Sequence, residues 1–129
     1  MPIISQIDSS LGVVFSTFQG VVTAEDISAQ VEMFKNSPAF QPSFNHLIDT
    51  RGTTRFDVSF ADMFAVSSHS AFNEKSRRAV VAEDTEMRGA ARVYQILRED
   101  QKKPDKMKVF RNMAEAHRWL GLDEATISN

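Results

Sequence analysis

The sequence predicts an α/β protein whose elements alternate in the order β-β-α-β-α-β-α-β-α. Two observations carry this prediction. Short runs of apolar or alternating residues recur along the chain, and the segments between them repeat apolar residues at helical spacing. Strands that alternate with helices form βαβ units, so we expect a mostly parallel sheet with right-handed crossovers.

The first two strands are expected to form a hairpin. Residues 3–7 alternate apolar and polar side chains, and residues 13–18 are rich in β-forming types. The turn is predicted at Leu11-Gly12, and Gly20 is expected to end the second strand. A tight turn makes the first strand antiparallel, which places it at an edge of the sheet.

The first helix is predicted to begin at Thr23. Asp26 stands three residues further on, which is the spacing of an approximate capping box. One face of the predicted helix carries Ile27, Val31 and Phe34. This spacing of four and three residues is typical of a helix that packs on a sheet.

The third strand is predicted over Phe44–Ile48, and Asp49 closes it. A polar loop is expected to follow, in which Gly52 would permit a turn with positive φ. Ser59 then caps a second helix that runs to about Ser70, with Asp62 at the capping spacing. In an α/β protein, a loop at the end of a strand is where a site most often lies.

A fourth strand and a third helix follow. Residues 79–82 form a continuous run of small apolar residues, as in a strand buried inside a sheet. Asp84 or Thr85 is expected to cap the next helix. Its apolar stripe consists of Met87, Ala90, Ala91, Tyr94 and Leu97.

The last strand and helix are predicted near the C-terminus. Residues 107–110 read as a short strand, and Asn112 caps a helix with Glu115 at the capping-box position. Gly121 suits the end of that helix. Residues 122–129 are expected to form a loose tail.

Composition narrows the class of protein. The chain has 129 residues, 42% of them hydrophobic and 25% charged, which fits one globular domain over residues 3–121. The net charge of −2 argues against general nucleic-acid binding. No apolar run reaches the ~18 residues of a membrane span. The lack of cysteine excludes disulfides and suits a reducing, cytoplasmic location.

No complete catalytic or metal motif stands out, so we expect neither an enzyme nor a cofactor. His46, His69 and His117 lie far apart on different predicted elements, and none has a partner at metal-ligand spacing. An enzyme that uses Asp49, His46 or Glu83 is the weakest of the functional hypotheses.

Phenylalanine is concentrated in the middle of the chain, where seven of the ten lie between Phe34 and Phe72. Phe56, Phe60 and Phe64 recur every four residues, with Met63 beside them. Such a stripe is typical of a core. The neighbouring apolar residues also allow part of this helix to cover a pocket or to face another chain.

Asp49 has two interpretations. It could orient a ligand, or pair with Arg51 or Arg55. Alternatively, it accepts backbone hydrogen bonds within its own loop, as in an Asx turn.

Three stretches resemble a known family. These are FQGVVTAEDI after the hairpin, residues 40–49 with the overlapping motif LIDTRG, and AVVAEDTEMRGAARVY. With the order of elements, they resemble the SpoIIAA-like fold of STAS domains, and more closely the bacterial STAS/SEC14-type proteins of uncharacterised function. The resemblance covers about residues 3–121. It implies a sequentially ordered sheet with most helices on one face, and a role in binding rather than catalysis.

The resemblance also implies a possible phosphoswitch at Ser59. STAS antagonists can carry a phosphorylated serine at the start of this helix, and phosphate is favoured at a helix N-terminus. The family motif is a paired Asp-Ser, whereas here Val58 separates Asp57 from Ser59. Asp57 and Asp62 would also repel a phosphate. The alternative is that Ser59 is an ordinary N-cap.

Two functional hypotheses lead. The first is a non-enzymatic STAS-like interaction or regulatory module that binds a protein partner or a second copy of itself. The second is a binder or carrier of a small apolar or lipid-like ligand in a pocket lined by Phe and Met. The predicted ligand or partner surface comprises Asp49, Arg51, Phe56, Ser59, Phe60, Met63 and Phe64.

Overall fold

Five strands and four helices lie within residues 2–122, the part of the chain that the computed structural model describes. Their bounds are β1 Ile3–Asp8, β2 Val13–Thr23, α1 Ala24–Lys35, β3 Asn45–Asp57, α2 Phe60–Ser67, β4 Arg77–Val81, α3 Thr85–Asp100, β5 Lys106–Phe110 and α4 Met113–Leu120. The order of elements is the predicted one. Of the predicted tail, only Leu122 lies among the described residues.

The five strands form one sheet in their sequence order, β1-β2-β3-β4-β5. β1 is antiparallel to β2, and each later strand is parallel to the one before it. The predicted parallel sheet with an antiparallel edge strand is therefore confirmed. His46 pairs with Arg78, and Ile48 with Val80, so these four side chains project from the same face of the sheet.

The helices cover the two faces unequally. Ile27 of α1 and Ala91 of α3 pack with Ile48 and Val80 on one face, and α2 contacts both of these helices. On the opposite face, α4 packs its Leu120 with its neighbours against β3 and β4. Three helices thus share one face, as the resemblance implied.

A third cluster of aromatic side chains closes one end of the helical face. Phe34 is fully buried, stacks on Phe40 at 5.3 Å between ring centroids, and meets Phe72 edge-on at 5.8 Å. Phe44 belongs to the same cluster. Much of the phenylalanine-rich middle of the chain therefore serves the core.

The helix ends follow the local sequence. The side chains of Thr23, Ser59, Asp84 and Asn112 each accept a hydrogen bond from the backbone N–H three residues on. Each capping residue satisfies an N–H group that the helix itself leaves free. Gly121 ends α4 with a φ of 72°, so the predicted terminus is confirmed.

The predicted end of β2 at Gly20 is wrong. The strand continues to Thr23, because Gly20 adopts a φ of 67° at an irregularity in the pairing with β3. Glycine takes this conformation without steric cost, so the strand bends there rather than stops.

The predicted loop after Asp49 is also wrong, since β3 continues to Asp57. β4 ends opposite Asp49, so the second half of β3 pairs only with the extension of β2. This pairing at long range gives a polar segment a strand conformation that its composition does not indicate. α2 is shorter than predicted and ends at Ser67.

Gly52 lies within this extension and does not form the predicted positive-φ turn. A Cβ atom at Gly52 would stand 2.8 Å from the backbone oxygen of Phe18. We expect Gly52→Ala to lower the free energy of unfolding by ~1–3 kcal/mol, because backbone must move to admit the methyl group. Urea denaturation measures this change.

Gly89→Ala is the matched control. Gly89 lies in α3 with no atom near the position of an added Cβ. The same substitution there should raise the free energy of unfolding by up to ~1 kcal/mol. Equal effects at the two glycines would contradict the close approach at Gly52.

Candidate functional site

α2 has a buried side and an exposed side. Met63 and Val66 are buried, whereas Phe60 is 68% and Phe64 is 52% exposed. Of the two interpretations of the stripe through Phe56, Phe60 and Phe64, a core alone is wrong for the last two residues, whereas a helix that also faces outward agrees with their exposure. Because apolar residues occur all around this helix, its periodicity alone could not tell which side would face the sheet.

A cavity of about 60 Å³ lies between the sheet and the three helices on its face. Its wall contains five large Phe and Met side chains, namely Phe18, Phe56, Met63, Met87 and Met107. Polar groups reach the wall from Gln30, Thr50, Arg78 and Tyr94. The cavity thus combines an apolar lining with a few polar groups, as small-molecule sites do.

A series of hydrogen-bonded polar side chains, all buried except the half-buried Ser5, crosses four neighbouring strands on the same face. Arg78 Nε lies 3.4 Å from Nδ1 of His46, and Nε2 of His46 lies 2.8 Å from Oγ of Ser16. Oγ of Ser16 lies 2.7 Å from Oγ of Ser5. Ser5 donates to Oε1 of Gln30 on α1 at 3.1 Å.

The directions of these hydrogen bonds follow from the donors. A guanidinium group can only donate, so Nδ1 of His46 accepts from Arg78 and the proton of the imidazole lies on Nε2. Oγ of Ser16 accepts the hydrogen bond from Nε2 of His46 and donates one to Oγ of Ser5. Each hydrogen bond of this series therefore has one donor and one acceptor when His46 is neutral.

Burial lowers the pKa of His46 well below its usual value, and the positive charge of Arg78 lowers it further. The imidazole also stacks on the ring of Phe72 with 4.9 Å between centroids. A charged imidazole would lose solvation and face a cation, so the fold selects the neutral form.

Asp105 connects two buried arginines. Arg98 donates from Nη2 to Oδ1 of Asp105, and Nη1 of Arg78 lies 3.3 Å from Oδ2. Arg98 also donates from Nη1 to the backbone oxygen of Ser67 at 2.8 Å, at the end of α2. The carboxylate of Asp105 therefore links the segment before β5 to β4 and to α3. Through Arg98 it is also connected to the end of α2.

The predicted pair Asp49 and Arg51 lies on the other face of the sheet. Arg51 donates from its backbone N–H at 3.0 Å and from Nε at 2.9 Å to Oδ1 of Asp49. Burial raises the pKa of Asp49, but the hydrogen bonds and charge of Arg51 outweigh this and hold that pKa below its usual value. The ion pair with Arg51 and the Asx-type acceptor role suggested for Asp49 are both present, whereas the suggested orientation of a ligand stays a prediction.

The predicted surface residues thus lie in three places. Asp49 and Arg51 pair on the face opposite α2, and Phe56 and Met63 line the cavity. The exposed side and start of α2 carry Ser59, Phe60 and Phe64.

Sequence reasoning missed the buried polar groups around Asp105. One signal was present: Arg78 stands two residues before Val80 in a strand predicted to be buried, so alternation places both on one face. An arginine at such a position requires buried partners. The sequence did not identify those partners, because they come from distant elements.

Ser59 is the N-cap of α2, where its Oγ accepts from the backbone N–H of Asp62 at 3.1 Å. We expect Ser59→Ala to lower the free energy of unfolding by ~1 kcal/mol, and Ser59→Asp to preserve it because Asp caps equally well. Chemical denaturation of both variants checks this. If the Ala and Asp variants prove equally stable, the cap contributes nothing.

The fold matches a known class. Four chains of solved structures match this one. One is an uncharacterized protein of the DUF3478 family with a SpoIIAA-like fold, from Shewanella loihica PV-4. It has 20% sequence identity, coverage of 92% of this chain and 93% of that one, and a TM-score of 0.57. The protein is therefore an α/β protein with the SpoIIAA-like fold, as predicted.

The two sequence comparisons found no match. No protein-family model matches the chain. No curated protein matches it either. The likeness to the Shewanella protein therefore concerns the fold.

Within residues 2–122, no helix is long and apolar enough to cross a membrane. Within the same range, no three His, Cys, Asp or Glu side chains are grouped so that they could hold a metal ion.

Proposed function

We propose that this chain is a non-enzymatic interaction module whose binding surface is the exposed side of α2. The observation that carries the proposal is the exposure of Phe60 and Phe64, one helical turn apart. Large aromatic side chains are the residues that most often anchor protein interfaces. The helix is held from behind by Met63 and by the bond from Arg98 to Ser67, so it presents a fixed surface.

The charge around this surface indicates the chemistry of the partner. Asp57 and Asp62 are exposed at the start of α2, and Arg55 lies 3.7 Å from Asp57 and offsets part of its charge. A partner with an apolar groove and a basic rim complements this arrangement. The partner is a second protein or a second copy of this chain.

The hydrogen-bond directions support a function without catalysis. Ser16 and His46 are adjacent, as in a nucleophile and its base, but Nε2 of His46 donates to Ser16 and cannot take its proton. Both side chains are buried. Asp49 is neutralised by Arg51, which leaves it poorly suited to act as a base.

The double variant Phe60→Ser/Phe64→Ser tests the proposal. We expect it to weaken the association of the purified chain with its partner or with itself by about 2 kcal/mol or more, since aromatic anchors contribute this much. Analytical ultracentrifugation and pull-down under native conditions measure the change. Circular dichroism confirms that the variant is folded.

Ile96→Ser is the matched control. Ile96 lies on α3 and is 61% exposed, so the substitution removes a large exposed apolar side chain elsewhere on the surface. It should leave association unchanged. If Ile96→Ser reduces association as much as the double variant, or if neither does, α2 is not the binding surface.

Phosphorylation of Ser59 would regulate binding at this surface. Ser59 is exposed beside the aromatic pair, but Asp62 on the same turn opposes a phosphate. Binding by Ser59→Asp, which imitates only part of the phosphate charge, is compared with binding by Ser59→Ala. If both variants bind the partner as strongly as the wild-type chain does, the switch is removed from the proposal.

A second candidate function rests on the cavity. Its Phe and Met lining favours a small apolar ligand, as in the alternative predicted from the sequence. At about 60 Å³ it has room for only a few heavy atoms, whereas pockets for drug-sized ligands span roughly 300–1,000 Å³. A long lipid would therefore have to displace α2. Native mass spectrometry of gently purified protein tests for a bound ligand.

A further inference from the structure

We propose that the cavity binds a small amphipathic carboxylate, with its carboxylate at Arg78 and its hydrocarbon end among the Phe and Met side chains. This proposal rests on the second function above, that the cavity is a ligand site, and it names the class of ligand. Three features carry it: an excess of buried positive charge, the loose contacts of Arg78, and the size of the cavity.

The buried charges do not balance. Apart from histidine, the buried ionised side chains of residues 2–122 are Arg78, Arg98 and Asp105. Two guanidinium groups thus share one carboxylate. His46 is neutral and adds no negative charge. A buried charge without a counter-charge is costly, so this site favours one further anion.

Arg78 is the cation with the weaker contacts. Its Nη1 lies 3.3 Å from Asp105 and 3.4 Å from the hydroxyl of Tyr94, and its Nε lies 3.4 Å from His46. All three distances exceed the usual range of about 2.7–3.2 Å for such bonds. Asp105 is held mainly by Arg98, which leaves Arg78 as the group to which an anion would bind.

Arg78 lies where a ligand can reach it. It forms part of the cavity wall, together with Tyr94, and its guanidinium stands 4.9 Å from the ring of Phe72. The rest of the wall is mostly apolar. A charged end at Arg78 and a hydrocarbon end along Met63 and Met87 would therefore match the site in both parts.

The volume of the cavity sets the length of the ligand. A single water molecule needs roughly 10–15 Å³ of such a space, so about 60 Å³ admits roughly four to six water-sized groups. This space suits a carboxylate with a short hydrocarbon chain, and we use butyrate as the probe. n-Butanol has a similar chain without the charge, and chloride has the charge without the chain.

Thermal unfolding and NMR test the proposal on the intact chain. We expect butyrate to raise Tm in a saturable manner, and n-butanol or chloride at equal ionic strength to raise it less. In protein labelled with ¹³C at the methionine methyls, butyrate should shift Met63, Met87 and Met107, which line the cavity. Met33 and Met113 lie outside that lining and serve as internal controls.

Two variants complete the test. Arg78→Met should weaken butyrate binding about tenfold or more, the loss expected for a hydrogen bond to a charged group. Ala90→Leu fills the cavity from α3 and leaves Arg78 intact, so it should abolish the methyl shifts even if Arg78→Met fails to fold.

The outcomes separate this proposal from the function on which it rests. Equal effects of butyrate and n-butanol would overturn the carboxylate and retain an apolar ligand site. Equal effects of butyrate and chloride would overturn the amphipathic ligand. No effect of either organic probe would overturn both proposals, as would methyl shifts that persist in Ala90→Leu.

Discussion

Asp105→Asn should lower the free energy of unfolding by about 3–5 kcal/mol. The substitution keeps the shape of the side chain and removes the carboxylate that pairs with both Arg78 and Arg98. Two buried guanidinium groups would then lack a counter-charge. A domain of this size is typically stable by ~5–15 kcal/mol, so the variant should come close to unfolding.

Urea denaturation followed by circular dichroism measures the loss. Asp100→Asn makes the same chemical change at an exposed position on α3 and should alter the free energy of unfolding by less than ~0.5 kcal/mol. If Asp105→Asn is as mild as the control, Asp105 does not hold the two arginines as the structure indicates.

Acidification should destabilise the protein through His46. Its pKa is lowered in the folded chain by burial and by Arg78, whereas an unfolded histidine titrates near pH ~6.5. Below that pH the unfolded state binds a proton that the native state does not. Stability is therefore complete above pH ~6.5 and falls toward lower pH by up to ~1.4 kcal/mol per unit.

The slope is measured as the free energy of unfolding between pH 7.5 and pH ~5, above the range where most carboxylates titrate. His46→Gln should flatten the slope in this window, whatever its effect at neutral pH. His69→Gln makes the same substitution at an exposed position and is the matched control. A wild-type slope that survives in His46→Gln would contradict a neutral, buried His46.

Local signals predicted the elements of the fold well. Each helix start depends on a capping residue and the backbone three positions on, as at Thr23 and Asn112, and such contacts can be read from neighbouring residues. The second half of β3 could not be predicted in this way. Its residues become a strand because they pair with the extension of β2.

The candidate site was predicted only in part. The sequence identified the aromatic helix, but an apolar residue gives the same signal whether it is buried or exposed, so the stripe alone left open whether Phe60 and Phe64 lie in a core or on an outer surface. The contact between Arg78 and Asp105 joins β4 to the segment before β5, and no local pattern reports it. Ion pairs between residues that are far apart in the sequence can be identified only once the fold is known.

Photo-crosslinking from position 60 tests the central claim, that the exposed side of α2 binds a protein chain. A photoreactive phenylalanine analogue is placed at Phe60, or at Ile96 as a control, in the cells from which the protein comes. We predict a discrete crosslinked product, either with a partner or with a second copy, from position 60. It should be absent from position 96 and lost when Phe64→Ser is added. The same products from both positions, or products that survive Phe64→Ser, would contradict the account.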